Sequence, residues 1–208
     1  HELKTPIAVI MANAEALEND PNEKKWLNNI RNESERMNDL ITDLLNLAKL
    51  ENGPSQENYN IENLSKIVEK TLLTFESLVY EKKLNLVYDI KENINIKCNS
   101  NQMKQLLVIW VDNAIQHSIE NGEINVTLEK EKNDVVLKVT NNGKEIPKQM
   151  QEKIFERFYR ADESRNRDSN RYGLGLAIAK SIVTNHHGKI SVNSEHQTTT
   201  FIVRIKQA

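Results

Sequence analysis

Cysteine is scarce in this sequence: Cys98 is the only one among 208 residues. A single thiol excludes a disulfide framework and a cysteine-rich metal site, so we expect a free structural thiol, as is usual in a reducing compartment. No run of about eighteen apolar residues occurs, which is the length that a membrane-spanning helix needs. We therefore expect no direct membrane contact from this chain.

An excess of either charge is also missing. The 28 basic and 30 acidic residues give a formal net charge of −2. A protein that binds nucleic acid or an anionic membrane surface needs a basic excess to neutralise phosphates. The composition therefore excludes a general nucleic-acid binder. Its 38% of hydrophobic residues are typical of a globular protein of one or two domains.

Residues 1–52 show no strand-like alternation, and their apolar residues follow helical spacing in two series. The first series is Ile7, Ile10, Met11, Ala14 and Leu17, and the second is Trp26, Ile30, Met37, Ile41, Leu44, Leu45 and Ala48. A turn-like segment around Pro21 separates them, and Gly53 and Pro54 end the second. The pattern predicts an antiparallel helical hairpin. Because one hairpin buries its apolar stripe poorly, we expect a homodimer that forms a four-helix bundle.

Residues 58–208 mix helical and strand patterns. Helices are predicted over residues 63–83, 101–118, 150–160 and 173–186, and strands over residues 84–90, 94–98, 123–130, 134–140, 189–195 and 199–205. This order favours an α+β fold, with helices covering one face of a mixed sheet in an α/β sandwich. The polar run 161–172 predicts a mobile loop that acts as a lid.

Two glycine motifs indicate close approach of the backbone to a ligand. Gly173 and Gly175 precede a predicted helix, whose N-terminus suits a phosphate, although tight packing of the helix start explains the same pattern. In VTNNGKEIP, Asn141 and Gly143 follow a predicted strand, where a simple β-turn is the alternative.

A polar cluster interrupts the apolar helix predicted over residues 101–118. Asp112, Asn113, Gln116 and His117 lie there in WVDNAIQHS. Polar groups are costly to bury unless they find partners, so the cluster indicates a ligand or a metal-bound phosphate. A solvated polar face remains the alternative, with His117 as a hydrogen-bonded structural residue.

Five motifs, in the order HELKTP, VDNAIQHS, NNGKEIP, IFERFYR and GLGLAIAK, resemble the cytoplasmic core of bacterial sensor histidine kinases. The resemblance spans nearly the whole chain. It implies a dimerisation and histidine-phosphotransfer hairpin at residues 1–52. Residues 58–208 would form the α/β-sandwich ATP-binding domain shared with gyrase and the MutL repair proteins. The sequence begins inside a motif without an initiator Met, so we expect a fragment of a longer protein. The resemblance implies that this fragment is the cytoplasmic portion of a membrane-anchored protein.

In that family the first motif carries the chemistry. His1 would attack the γ-phosphate of ATP, and Glu2 would accept or orient the proton on the other ring nitrogen. Adjacent helical residues do not face each other, so this pair relies on side-chain reach or local distortion. Thr5, one turn from His1, corresponds to a residue that positions water to dephosphorylate the response regulator. Pro6 crowds the carbonyl of Glu2, which predicts a helix bend.

The resemblance also implies an ATP site that contains Mg²⁺. Asn113 would hold the ion, His117 would approach the nucleotide, and Asn141 would accept the adenine amino group. Phe155 would pack beneath the lid together with Phe158. The other implied nucleotide-binding residues are Gly143, Arg160, Arg171, Gly173, Leu174, Gly175 and Leu176, and Thr199 would support the adenine pocket.

Five positions depart from the family pattern. Ile109 and Gln116 replace an asparagine and a lysine, Asn141 replaces an aspartate, and Glu145 and Arg171 replace glycines. An asparagine accepts the adenine hydrogen bond without charge, so we expect weaker ATP binding. Our hypothesis is that Arg171 supplies positive charge near the phosphates in place of a lysine at position 116.

The resemblance implies autophosphorylation of His1 and transfer of the phosphoryl group to an aspartate in the receiver domain of a response regulator. It also implies dephosphorylation of that regulator. The departures motivate an alternative, a catalytically weak ATP-gated scaffold or phosphatase-biased regulator. A serine-directed kinase or a topoisomerase-type ATPase shares the ATP fold but does not explain HELKTP.

Overall fold

The computed structural model describes residues 3–17, 23–51, 59–159 and 172–207. Two helices come first, α1 (Lys4–Leu17) and α2 (Glu23–Glu51), and they pack together as the expected hairpin, with Asn29 Nδ2 donating to Asn13 Oδ1 over 3.0 Å. Pro6 lies in the first turn of α1. The bend predicted at Pro6 depends on the carbonyl of Glu2, which lies outside the described residues. The predicted turn around Pro21 lies outside them as well.

The second region is built around a five-stranded sheet. Its helices are α3 (Leu64–Leu73), α4 (Glu76–Glu81), α5 (Ser100–His117), α6 (Lys148–Gln151) and α7 (Gly175–Asn185). Its strands are β1 (Asn60–Asn63), β2 (Asn85–Ile90), β3 (Asn95–Cys98), β4 (Glu123–Glu131), β5 (Asp134–Asn142), β6 (Lys189–Glu195) and β7 (Thr198–Lys206). The strand order is β2-β4-β5-β7-β6, with β2 parallel to β4 and the other pairs antiparallel. The sheet is therefore mixed, as expected.

Helices α5 and α7 cover one face of this sheet. Trp110 of α5 is fully buried, and its ring centroid lies 5.7 Å from that of Phe201 in β7. Alternate residues of β4 and β7 face the same core, because side chains along a strand alternate between the two faces. Burial of large apolar side chains contributes about 1.5–3 kcal/mol each. The observed layers confirm the α+β fold class.

The predicted helix over residues 63–83 is divided into α3 and α4. Thr74 caps the end of α3, and its Oγ1 donates to the Thr71 carbonyl over 2.7 Å. A threonine hydroxyl that bonds the preceding turn competes with helix continuation. The apolar spacing on both sides still matches one helical period, which is why the break is not visible in the sequence.

Two further segments differ from expectation. A single helix over residues 150–160 is wrong: α6 ends at Gln151, a 3₁₀ turn follows at Lys153–Phe155, and Phe158 has a φ of 60°. A residue in the left-handed region cannot continue an α-helix. The predicted strand over residues 94–98 exists as β3, but it pairs with β1 in a separate two-stranded sheet.

The hairpin is joined to the second region through the C-terminal half of α2. Leu40, Leu47 and Leu50 are buried in the same hydrophobic core as α7. Asn185 Nδ2, at the end of α7, donates to the Leu50 carbonyl over 2.8 Å, and Arg157 forms an ion pair with Glu51. The end of α2 is thus fixed to the helix that follows the glycine motif. Of the helices described, none combines the length and the hydropathy needed to cross a membrane.

The thiol of Cys98 is buried and free, in agreement with expectation. Burial raises its pKa to about 12, and the nearby Glu62 adds to this shift. The reactive form of cysteine is the thiolate, which is therefore negligible near neutral pH. Cys98 is a packing residue of β3.

His186 connects the end of α7 to the start of α5. Its side chain is only 6% exposed. Nδ1–H donates to the Ile182 carbonyl over 2.7 Å, Nε2 accepts the Asn99 N–H over 3.1 Å, and the Tyr59 ring lies 4.7 Å away. Burial lowers the pKa of His186, as does the neighbouring His187, while the hydrogen bond to Ile182 opposes the shift. Only the neutral ring can accept from Asn99, because a protonated ring has no free lone pair.

We predict that acidification weakens the fold through His186. The pKa of His186 in the folded protein lies below the value of about 6.5 for an unfolded histidine, so this contribution to stability is present above pH 6.5 and lost as the pH falls. The free energy of unfolding, measured with urea at pH 7 and pH 5, should fall less in His186→Gln than in the unmodified protein.

A matched control is His187→Asn, because His187 is exposed and asparagine tolerates its φ of 53°. This variant should keep the pH dependence of the unmodified protein. An identical pH dependence in all three proteins would contradict the role given to His186.

Candidate functional site

Helix α5 supplies the polar side chains of the candidate site. The Asn99 side chain caps its start by accepting from the N–H groups of Asn101 and Gln102. Trp110 and other apolar residues face the core, whereas Asn113 and Asp112 are half-buried and Gln116 and His117 are exposed. The polar cluster therefore forms the edge of the core-facing helix and not a fully solvated face.

The C-terminal end of α5 lies against the loop that follows β5. Ser118 and Gly143 form an antiparallel bridge, and the Gly143 N–H donates to the Gln197 carbonyl over 2.8 Å. A Cβ at position 143 would lie 2.2 Å from the His117 carbonyl oxygen. No side chain fits in that space, so Gly143 is required for this approach of strand and helix.

A small polar floor lies beneath this end of α5. It consists of Asn141, Thr199 and Ser194, which are the buried polar ends of three neighbouring strands. The hydroxyls of Ser194 and Thr199 are 2.7 Å apart, and Ser194 Oγ accepts the Ile146 N–H over 2.8 Å. The floor is therefore held together by its own hydrogen bonds, to which Nδ2 of Asn141 does not contribute.

The glycine motif lies beside an earlier part of α5. A Cβ at Gly175 would lie 3.4 Å from Cγ2 of Ile109, which is an ordinary contact. Gly173 has a φ of +70°, and a Cβ there would lie 2.8 Å from the Tyr159 carbonyl oxygen. Leu174 is buried and Leu176 half-buried, and α7 begins at Gly175. Leu174 and Leu176 therefore anchor the motif in the core, and the absence of a side chain at Gly173 lets the backbone approach Tyr159.

Of the two expected aromatic anchors, one packs and one does not. Phe155 is buried and lies edge-on to Phe201, with ring centroids 6.3 Å apart. Phe158 is 41% exposed. Its positive φ and the hydrogen bond from its N–H to the Gly173 carbonyl, 3.1 Å long, turn the residue away from the core.

Several expected site residues lie outside the described part of the chain. These are His1, Glu2, Arg160 and Arg171, together with most of the predicted lid. Thr5 is exposed on α1. Among the described residues, no hydrogen bond or ion pair links Thr5 to the second region. The structure therefore brings together the described residues expected at the ATP site from α5, β5 and α7.

Ser194 is a site neighbour that the sequence did not reveal. It occupies an inward-facing position of β6, where the apolar pattern of KISVNSE gives way to a hydroxyl. Gln151 also belongs here, because its Nε2 donates to the carbonyls of Ile146 and Ser194 over 3.0 and 3.1 Å. The sequence signal that could have indicated Ser194 is a serine at an inward-facing position near the end of a predicted strand.

The side chains near Asn113 determine what kind of magnesium site this region can form. In the part of the chain that the structure describes, no group of three or more His, Cys, Asp or Glu side chains is placed to hold a metal. Asn113 offers one neutral amide oxygen. Mg²⁺ in nucleotide sites relies mainly on phosphate oxygens and water and takes few protein ligands. The residues fit an ion that arrives with a nucleotide and do not fit a permanent metal centre.

Comparison with known families agrees with this geometry. The chain belongs to the histidine kinase-, DNA gyrase B- and HSP90-like ATPase family, whose model matches residues 98–208. The model of the His Kinase A (phospho-acceptor) domain matches residues 1–53. These two matches combine a phospho-acceptor domain with an ATP-binding domain in one chain, as in sensor histidine kinases.

Curated sensor proteins and kinases match nearly the whole chain. Sensor protein DltS of Streptococcus agalactiae is 40% identical over 195 residues, which is 94% of this chain and 49% of DltS. Signal transduction histidine-protein kinase ArlS of Staphylococcus haemolyticus is 32% identical over 214 residues, 99% of this chain and 47% of ArlS. The chain thus spans about half the length of the curated relatives it matches.

Solved structures of histidine kinases have the same fold. Histidine kinase AdeS of Acinetobacter baumannii matches with a TM-score of 0.81 and 25% identity, covering 100% of this chain and 98% of the other. Histidine kinase ThkA, solved in complex with response regulator protein TrrA, matches with a TM-score of 0.78 and 26% identity, covering 100% of this chain and 59% of the other.

We predict that the two glycines differ sharply in their tolerance of a methyl group. Gly143→Ala should lose about 1–3 kcal/mol of stability, because its Cβ meets the His117 backbone. Gly175→Ala should be neutral or stabilising, because its Cβ makes an ordinary contact and alanine is preferred in helices by about 1 kcal/mol. Thermal unfolding without nucleotide measures both, and equal melting temperatures would contradict the packing described for Gly143.

Proposed function

We propose that this chain is the kinase core of a sensor histidine kinase and that it transfers the γ-phosphoryl group of ATP to His1. The observation that carries the proposal is the arrangement around α5. Gly143 lies against the end of this helix, Gly175 lies beside Ile109, and Asn113 lies between these contacts along the helix. The family matches support ATP as the nucleotide.

Each of the proposed site residues would have a distinct role in phosphoryl transfer. The neutral imidazole of His1 would use a ring nitrogen lone pair to form the N–P bond, while the bond from the γ-phosphorus to the bridging oxygen breaks and ADP leaves. Glu2 would accept or orient the proton on the other ring nitrogen as the ring becomes positively charged. The backbone near Gly173 and Gly175 would receive the phosphates.

Magnesium would be held by the phosphates and by the amide oxygen of Asn113. When bound, it offsets the negative charge of the phosphate chain during transfer. His117, Leu174, Leu176 and Phe155 would shape the nucleotide pocket. Arg160 and Arg171 are proposed to add positive charge near the phosphates, with Arg171 replacing the charge that Gln116 does not provide.

The partners follow from the hairpin. Exposed apolar side chains remain on α1 and α2, which are Ile7, Val9, Met11, Leu27, Ile41 and Leu45, and Leu3 just before α1 is exposed as well. We propose that a second copy covers part of this surface to complete a four-helix bundle. The receiver domain of a response regulator would dock near His1 and take the phosphoryl group on an aspartate. The ThkA structure contains a response regulator protein, TrrA, which supports this type of partner.

The proposed division places the phosphotransfer hairpin at residues 1–52 and the ATP-binding domain at residues 58–208. The natural protein would be longer and membrane-anchored, with this part in the cytoplasm. Relatives about twice as long, named as sensor proteins, support this placement.

The decisive experiment is incubation of the full-length protein with Mg²⁺ and γ-labelled ATP. We expect label that is acid-labile and alkali-stable, because an N–P bond to histidine has that stability, and we expect none in His1→Gln. The control is His196→Asn, which removes an exposed histidine at a turn whose φ of 52° suits asparagine. Label retained in His1→Gln and lost in His196→Asn would refute the assignment of His1.

A second candidate function is an ATP-gated scaffold or phosphatase-biased regulator. The observation that favours it is the contact of Ile109 with Gly175, which places an apolar side chain where the family has an asparagine. ATP binding without any transfer of label to His1 would favour this function over the kinase.

We predict that Thr5 serves dephosphorylation and not phosphorylation. Thr5→Ala should slow removal of phosphate from the response regulator by about tenfold or more, because a water molecule loses the hydroxyl that positions it. Thr5→Ser keeps the hydroxyl and should retain the activity. Labelling of His1 should be unchanged in both variants. Equal loss of both activities in Thr5→Ala would instead indicate a structural role for Thr5.

A further inference from the structure

Asn141 is a buried amide whose nitrogen has no hydrogen-bond partner among the described residues. Its side chain is 2% exposed. The other polar side chains of the floor, Ser194 and Thr199, bond to each other and to the Ile146 N–H. Asn141 Nδ2 is therefore a buried donor of this floor that the floor itself does not satisfy.

An unpaired amide at this depth is unfavourable in the isolated protein. Leaving a buried donor without a partner costs about 1–3 kcal/mol, and such groups in native proteins have a specific explanation. Nothing in the strand pairing requires an amide there, because Asn141 is paired to Ile124 and Thr199 through its backbone. A bound molecule that pairs with the amide would recover this cost.

The position of Asn141 separates it from the glycine motif. Its Nδ2 lies 3.0 Å from the place that a Cβ on Gly143 would occupy, at the end of α5. Gly175 lies beside Ile109, which precedes His117 by two turns of α5, or about 12 Å along the helix axis. If the phosphates lie at the glycine motif, the base of the same nucleotide reaches toward Asn141.

An amide can pair with either type of purine. Adenine presents a donor at N6 and an acceptor at N1, and a 6-oxopurine presents an acceptor at O6 and a donor at N1. The amide has one acceptor and two donors, so turning it over matches either edge. An ionised carboxylate only accepts, which favours the amino group of adenine and disfavours an oxo group.

We propose that Asn141 contacts the six-position edge of the purine and that the site consequently accepts 6-oxopurine triphosphates together with ATP. This inference rests on the proposed nucleotide-binding function. Asn141 would then determine base specificity, because its amide accepts both adenine and 6-oxopurines where a carboxylate would favour adenine.

The test compares ATP with inosine triphosphate, which differs from ATP only at the six-position edge of the base. Dissociation constants of both, measured by calorimetry with Mg²⁺ on the full-length protein, should agree within about tenfold. Asn141→Asp should bind ATP more tightly and inosine triphosphate more weakly, so that discrimination rises by about tenfold or more.

Asn142→Asp is the matched control. Asn142 is adjacent in sequence but faces the other side of the strand, and its Oδ1 accepts the Glu123 N–H over 3.0 Å, which a carboxylate also does. This variant adds the same charge and should leave the ratio of the two constants unchanged. An equal rise in discrimination in both variants would overturn the role of Asn141.

The unmodified protein decides the matter even if Asn141→Asp does not fold. Binding of ATP with rejection of inosine triphosphate by a hundredfold or more, about 2.8 kcal/mol, would overturn the inference and leave the proposed function intact. Binding of neither nucleotide would overturn both.

Discussion

The packing of α5 on the sheet determines where the candidate site lies. Trp110 fills the space between this helix and β7 by contact with Phe201, and both rings are fully buried. A helix anchored by a side chain of this size has little freedom to rotate, because protein interiors are close-packed. Rotation would remove Asn113 from the edge of the core and move the helix end away from Gly143. The polar residues of the site are thus held in place by an apolar contact.

Glycine has a different role at each motif. At Gly143 the backbone of the helix end is too close for any Cβ, so the requirement is steric. At Gly173 the left-handed φ adds a conformational requirement. Gly175 has neither requirement, because a Cβ there would make only an ordinary contact with Ile109. The structure therefore explains the need for glycine at two of these three positions and by two different physical reasons.

Much of this architecture was predictable from the sequence. The helix predicted over residues 101–118 corresponds to α5, and the strands of the main sheet follow the predicted alternation because each buries one face. The pairing of β1 with β3 was not predictable, because NIEN has no apolar alternation and depends on a partner more than thirty residues away. The motif order indicated the ATP site, but the unpaired amide nitrogen of Asn141 appears only when its neighbours are seen to satisfy one another.

Helix α7 connects the glycine motif to the hairpin. This helix of 11 residues, about 16 Å long, begins at the glycine motif and ends at the Asn185 hydrogen bond to the Leu50 carbonyl. A short helix is stiff over that length, and the two ends of α7 lie at the glycine motif and at the hairpin. A displacement of the end of α2 would therefore be passed to the glycine motif through α7.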